Sequence, residues 1–187
     1  WQPLLPARTF ADFDGDGRSD VSVFRPSDKT WYLNQSTAGF AATQFGLSTD
    51  CITPADFDGD GRTDISVFRE GVWYWLNSSN NQVGIRNFGL SDDKPVPADF
   101  TGDGRADLAI YRNGTWWIQD LANNQTQVVN FGLSTDKPVA ADYDGVLANA
   151  FDSSERPYFD QFLDGLKKIG YAEGRTPGIE RRSSEGA

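Results

Sequence analysis

The feature that most constrains this chain is an acidic segment that returns in register. Ala-Asp-Phe-Asp-Gly-Asp-Gly-Arg begins at Ala11 and again at Ala55. Ala-Asp-Phe-Thr-Gly-Asp-Gly-Arg begins at Ala98, and Ala-Asp-Tyr-Asp-Gly begins at Ala141 before the pattern breaks off. The leading aspartates, Asp12, Asp56, Asp99 and Asp142, are spaced by 44, 43 and 43 residues. A period of that size marks a repeat architecture, in which each unit is too small to bury its own apolar faces and must stack on a neighbour.

Other signals keep the same register. Each complete acidic loop is followed by a short run with period-two, β-branched character: Val21-Ser22-Val23-Phe24-Arg25, Ile65-Ser66-Val67-Phe68-Arg69 and Leu108-Ala109-Ile110-Tyr111-Arg112. A turn then leads to an aromatic strand, Trp31-Tyr32-Leu33, Trp73-Tyr74-Trp75-Leu76 or Trp116-Trp117-Ile118. A third run ends in Phe-Gly-Leu-Ser at Phe45, Phe88 and Phe131, and a short fourth segment such as Pro95-Val96-Pro97-Ala98 feeds the next loop. Four short strands per repeat predict an all-β chain of β-propeller-type, four-stranded blades, three complete and a fourth only begun. The blade domain is expected over residues 1–145, with repeats starting near 11, 55, 98 and 141.

The loops themselves predict a metal. In the first, carboxylates fall at loop positions 1, 3, 5 and 9: Asp12, Asp14, Asp16 and Asp20. The backbone carbonyl of Arg18 at position 7 completes an all-oxygen set, and Gly17 permits the sharp turn. Such a set suits Ca2+, a hard ion taking six to eight oxygens, better than magnesium with its stricter octahedral geometry. The second loop repeats it with Asp56, Asp58, Asp60, the carbonyl of Arg62, and Asp64. The third keeps Asp99, Asp103, the carbonyl of Arg105, and Asp107, but carries Thr101 at position 3, so weaker binding is expected there. No EF-hand is implied, because position 12 is Val23 and the flanks are strands. Asp and Gly are also ordinary turn formers. Four carboxylates within nine residues would nevertheless repel strongly without a cation.

These residues resemble the FG-GAP/VCBS repeats of secreted bacterial proteins and are more distantly similar to the calcium loops of integrin α-chain propellers. The resemblance covers about residues 7–145. It implies a propeller, calcium loops joining the first two strands of each blade, and an extracellular or cell-surface setting. It further implies adhesion, ligand binding or scaffolding rather than catalysis. Family propellers usually carry more blades than this chain encodes. An open array, a fragment of a longer protein, and a homo-oligomer that completes a ring all remain open.

Composition narrows the alternatives. The chain has no His and one Cys, which removes a Ser-His-Asp triad, a Cys-His dyad and a Cys/His zinc site. Cys51 is expected to be a small buried residue. A net charge of −10 disfavours nucleic acid and anionic membrane as partners, and three bound dications would bring it to −4. No apolar run is long enough for membrane insertion. Paired carboxylates evoke a glycosidase, but these are too dense and too regular for an acid–base pair. The strand aromatics allow two readings: a lectin-like face for a glycan ligand, or an interblade core. A blade set from a larger extracellular enzyme is the third functional alternative.

After Gly145 the pattern changes. Phe159, Phe162, Leu163, Leu166 and Ile169 have helical spacing, which predicts a short α-helical appendage within residues 146–187. The run from Phe162 to Arg175 resembles the start of periplasmic ABC-transporter substrate-binding proteins. The rest of that fold is missing, so its ligand-binding function is not implied.

Overall fold

The computed structural model describes residues 10–140. The predicted appendage, the fourth loop start and the periplasmic-protein resemblance lie outside the described residues.

Eleven strands form three antiparallel sheets among the described residues. The first contains β1 (Val21–Arg25), β2 (Thr30–Gln35) and β3 (Gly39–Gln44) in the order β1-β2-β3. The second contains β4 (Cys51–Ile52), β5 (Ile65–Arg69), β6 (Val72–Leu76) and β7 (Val83–Asn87) in the order β4-β5-β6-β7. The third repeats it with β8 (Lys94–Pro95), β9 (Leu108–Arg112), β10 (Thr115–Gln119) and β11 (Thr126–Asn130). These are propeller-type blades, and the all-β expectation holds. Among the described residues the first blade shows three strands and the other two show four.

Local chemistry sets the hairpins. Glu70-Gly71 and Asn113-Gly114 are two-residue loops with positive φ at both positions, which matches the right-handed twist of the strands they join. A Cβ on Gly71 would lie 2.5 Å from the Gly89 carbonyl oxygen, so the turn and the Phe88-Gly89 corner close on each other. That corner is held a second time. The Trp73 indole donates to the Phe88 carbonyl at 2.8 Å, as Trp31 does to Phe45 and Trp116 to Phe131, both at 3.1 Å. The three Phe-Gly corners are thereby tied to the middle strands of their own blades.

The crossings between blades are pinned by ion pairs. Asp50 accepts from the Leu47 amide and from Arg69 Nε at 2.6 Å and Nη2 at 2.7 Å. Asp93 holds Leu90 and Arg112 in the same way. Both carboxylates are almost fully buried, where a fork-shaped guanidinium satisfies them bidentately.

The core lies between blades, as stacking requires. Phe13, Trp31 and Leu33 of the first blade pack on Ile65 and Val67 of the second. Phe57, Phe68 and Trp73 of the second pack on Ala106, Leu108 and Ile110 of the third. The segments before the acidic loops converge on a cavity of about 410 Å³ lined by Ala11, Ala55, Ala98 and Ala140, which matches innermost strands turned toward a common axis. Cys51 departs from expectation: it is exposed, because the two-residue β4 lies at a sheet edge.

Candidate metal centre

Each acidic loop is wound around its first aspartate. Asp12 accepts from the Gly15 amide at 2.7 Å, the Asp16 amide at 3.2 Å and the Gly17 amide at 2.8 Å. Asp56 accepts from Gly59 and Gly61, and Asp99 from Gly102, Asp103 and Gly104, at nearly the same distances. The glycines take φ between +73° and +88°, a left-handed region that side chains rarely adopt. This explains their regular return at positions 4 and 6.

The last aspartate of each loop is its buried anchor. Asp20 accepts from the Phe13 amide at 2.8 Å and from the Ser36 amide at 2.7 Å, joining the loop to the β2–β3 turn. Asp64 does the same with Phe57 and Ser78. Asp107 accepts from Phe100 and Thr101. Asp64 and Asp107 are fully buried, and burial raises the pKa of each to about 6.

The intervening aspartates face outward and bind the same turn. Asp14 accepts from the Thr37 and Ala38 amides at 2.9 and 2.8 Å, and amide donation from Ala38 and then Thr37 lowers its pKa. Asp16 accepts from the hydroxyls of Ser36 and Thr37, which lower its pKa. In the second blade, Asp58 takes the Ser79 amide and hydroxyl, and Asp60 takes the Ser78 hydroxyl.

Carboxylate oxygens of Asp12, Asp14 and Asp20 come within 4.8 Å of one another, as do those of Asp56, Asp58 and Asp60. Oxygens bound to one calcium at about 2.4 Å stand no farther apart than roughly twice that radius, so both clusters fit the ion. The amide bonds do not consume the donors, because each carboxylate oxygen has two lone pairs. Asp16 in the first loop and Asp64 in the second lie outside these two triplets. Asp99, Asp103 and Asp107 of the third loop form no such triplet, and Thr101, in place of an aspartate, sets its hydroxyl 3.4 Å from Asp107. Arg18, Arg62 and Arg105 hold position 7 of their loops, where each backbone amide donates to the position-5 aspartate, Asp16, Asp60 or Asp103.

Three features escape a reading of the loops alone. The serines and threonines of the β2–β3 and β6–β7 turns hold the outward aspartates, yet lie some twenty residues downstream. Asp120 is buried, and after burial and the charge of Asp99 its own charge also raises the pKa of Asp107. The arginine side chains act between loops. A Cβ on Gly15 would lie 3.0 Å from Arg62 Cγ, and one on Gly59 would lie 2.9 Å from Arg105 Cγ. Beside each arginine a backbone bond runs in the same direction: the Thr63 amide donates to the Asp12 carbonyl, and the Ala106 amide to the Asp56 carbonyl, both at 2.6 Å. The second and third loops thus each sit on the one before.

A family model for the FG-GAP-like repeat matches residues 12–67 and again residues 56–110, together just over half of the chain. No curated protein and no solved structure matches it.

Proposed function

Because the chain belongs to the FG-GAP-like repeat family, we propose that it is a calcium-stiffened extracellular module for binding, adhesion or scaffolding, and not an enzyme. The observation that carries this reading is the convergence of Asp12, Asp14 and Asp20, and of Asp56, Asp58 and Asp60, each within 4.8 Å. The ion would be held there, with Asp16, Asp64 and the carbonyls of Arg18 and Arg62 as neighbouring oxygens in the same loops. Calcium supplies positive charge at the centre of oxygen donors that otherwise repel. The protein's own residues supply rigidity: Asp20 and Asp64 connect their loops to the Ser36 and Ser78 turns, so an ordered loop orders the outer hairpin too. The third loop, with Thr101 in place of an aspartate and no converging triplet, is the weaker site.

The strand aromatics support the binding-module reading over a sugar platform. Trp31 and Trp73 are buried between blades, Trp75 packs against Phe57 at 5.3 Å, and Tyr32 lies under Arg25.

The test is a thermal melt in calcium, in magnesium and in EDTA. A ligand that binds only the folded state raises the midpoint with its concentration, by about 2.7 kcal/mol at a hundred times its dissociation constant. A rise specific to calcium is expected. An equal midpoint in all three solutions sinks the reading.

A further inference from the structure

We infer that the two ends of the blade array are complementary to each other, and that a second copy of this chain docks head to tail across them. The inference rests on a contact the chain makes twice within itself, and it does not depend on calcium.

The leading face of the first blade is exposed where its counterparts are buried. Val21 and Val23 of β1 are 71% and 55% exposed. Ile65 and Val67, at the same positions of β5, are 7% and 0% exposed, and Leu108 and Ile110 of β9 are 0% and 1%. The difference is not one of residue type, since all six are aliphatic. It follows from what precedes each strand: the first blade covers β5 and the second covers β9.

The trailing face of the third blade shows the converse. Phe13 and Phe57, at loop position 2, are 5% and 2% exposed, whereas Phe100 is 38% exposed. Trp31 and Trp73 are buried, whereas Trp116 is only half-buried. These are the groups that cover the next blade's aliphatic strand in both internal interfaces.

The polar groups match as well. Internally, an arginine at position 7 lies over the preceding loop's position-4 glycine, and the following amide donates to that loop's first carbonyl. Arg18 and the Ser19 amide hold the donor positions at the leading end. Gly102 and the Asp99 carbonyl hold the acceptor positions at the trailing end. Asp136 closes the third Phe-Gly-Leu corner by accepting from Leu133, as Asp50 and Asp93 do in theirs. Those two bind an arginine at the end of the next blade's strand, and Arg25 of a second copy occupies that place. Such a contact is heterologous, so it either closes a ring or propagates. Two copies would give six blades, within the range of closed propellers, about four to eight.

Sedimentation equilibrium on the 187-residue chain over a wide concentration range tests this. The wild type is expected to reach at least twice the 20.7 kDa chain mass. Val23→Lys blocks the leading face and Phe100→Lys the trailing face, so each variant alone is expected to stay monomeric. Mixed in equal amounts they retain one intact pair of ends and are expected to form a dimer and nothing larger. Near-ultraviolet circular dichroism checks that each variant is folded; Val21→Lys and Asp136→Lys replace any that is not. A wild type that stays monomeric, variants that associate like the wild type, or a mixture that stays monomeric would each overturn the inference.

Discussion

In calcium-free solution, acidification from about pH 7 to about pH 5 will stabilise this acidic protein. Asp64 and Asp107 are fully buried and titrate at about 6 in the folded chain, against 3.8 for an ordinary aspartate. Their folded pKa is raised, so between those values the folded state binds more protons than the unfolded state, and stability falls as pH rises. The penalty is fully present above about pH 6 and is relieved as the pH drops through that value. One pKa unit corresponds to about 1.4 kcal/mol per group, and water reaching the loops reduces it, so roughly 2 kcal/mol is expected for the pair. That is a rise in midpoint of roughly 4–8 °C for a chain of this length. Asp14 and Asp16 work in the opposite sense, since their pKa values are lowered, but their stabilisation is lost only as pH falls to the ordinary carboxylate range and below. The assay is a melt in EDTA at half-unit pH steps, repeated in saturating calcium. In saturating calcium, an ion in the second loop would favour the ionised form of the neighbouring Asp64, so the rise should shrink. Asp64→Asn should remove about half of it. A calcium-free midpoint that is flat or falls on acidification to pH 5 would refute the reasoning, because the buried carboxylates would then carry no desolvation cost.

Further outcomes follow from the packing. Gly71→Ala and Gly39→Ala share a positive φ and its strain of roughly 1–2 kcal/mol. Only the former meets a backbone carbonyl, 2.5 Å from the new Cβ, so urea denaturation should show a clearly larger loss for Gly71→Ala. Trp73→Ala empties the second interblade core and drops the bond to Phe88, which should cost about 3–5 kcal/mol by the same measurement. Asp14→Asn keeps an oxygen for the Thr37 and Ala38 amides but loses the charge they favour, so it should lower the EDTA melt only slightly while weakening calcium binding by at least ~10-fold in calorimetric titration. An unchanged affinity would remove Asp14 from the site.

Much of this molecule was legible because it repeats. A 43–44-residue period fixed the blade, and the alternation in Ile65–Arg69 and the Trp runs located its strands. The carboxylates that converge in the acidic loops stood in the sequence because the residues of one loop are local. What acts across the repeat was not legible. Asp120 lies thirteen residues beyond Asp107 and is brought near it only by the β9–β10 hairpin. Ser36 and Thr37 look like turn formers until the fold sets them against Asp16. Cys51 looked like a core residue, but burial depends on where a strand ends, and β4 is two residues long at an edge. The side chains of Arg62 and Arg105 reach the preceding loop, a contact that position within one loop does not reveal.

Those arginines give the array a sense of direction. Arg62 and the Thr63 amide rest on the first loop, and Arg105 and the Ala106 amide on the second, so no loop settles without pressing on its neighbour. On the proposed calcium reading, occupancy would spread as in a row of coupled switches: filling one would favour filling the next, and the favour would be returned equally. The middle loop has two neighbours and each outer one has one, so the second site should fill first and most steeply. Sharpness of response becomes a property of how many units stand in the row, separate from the chemistry of any single ligand set. Arg105→Ala, which leaves every carboxylate in place, should flatten the calcium titration without abolishing it.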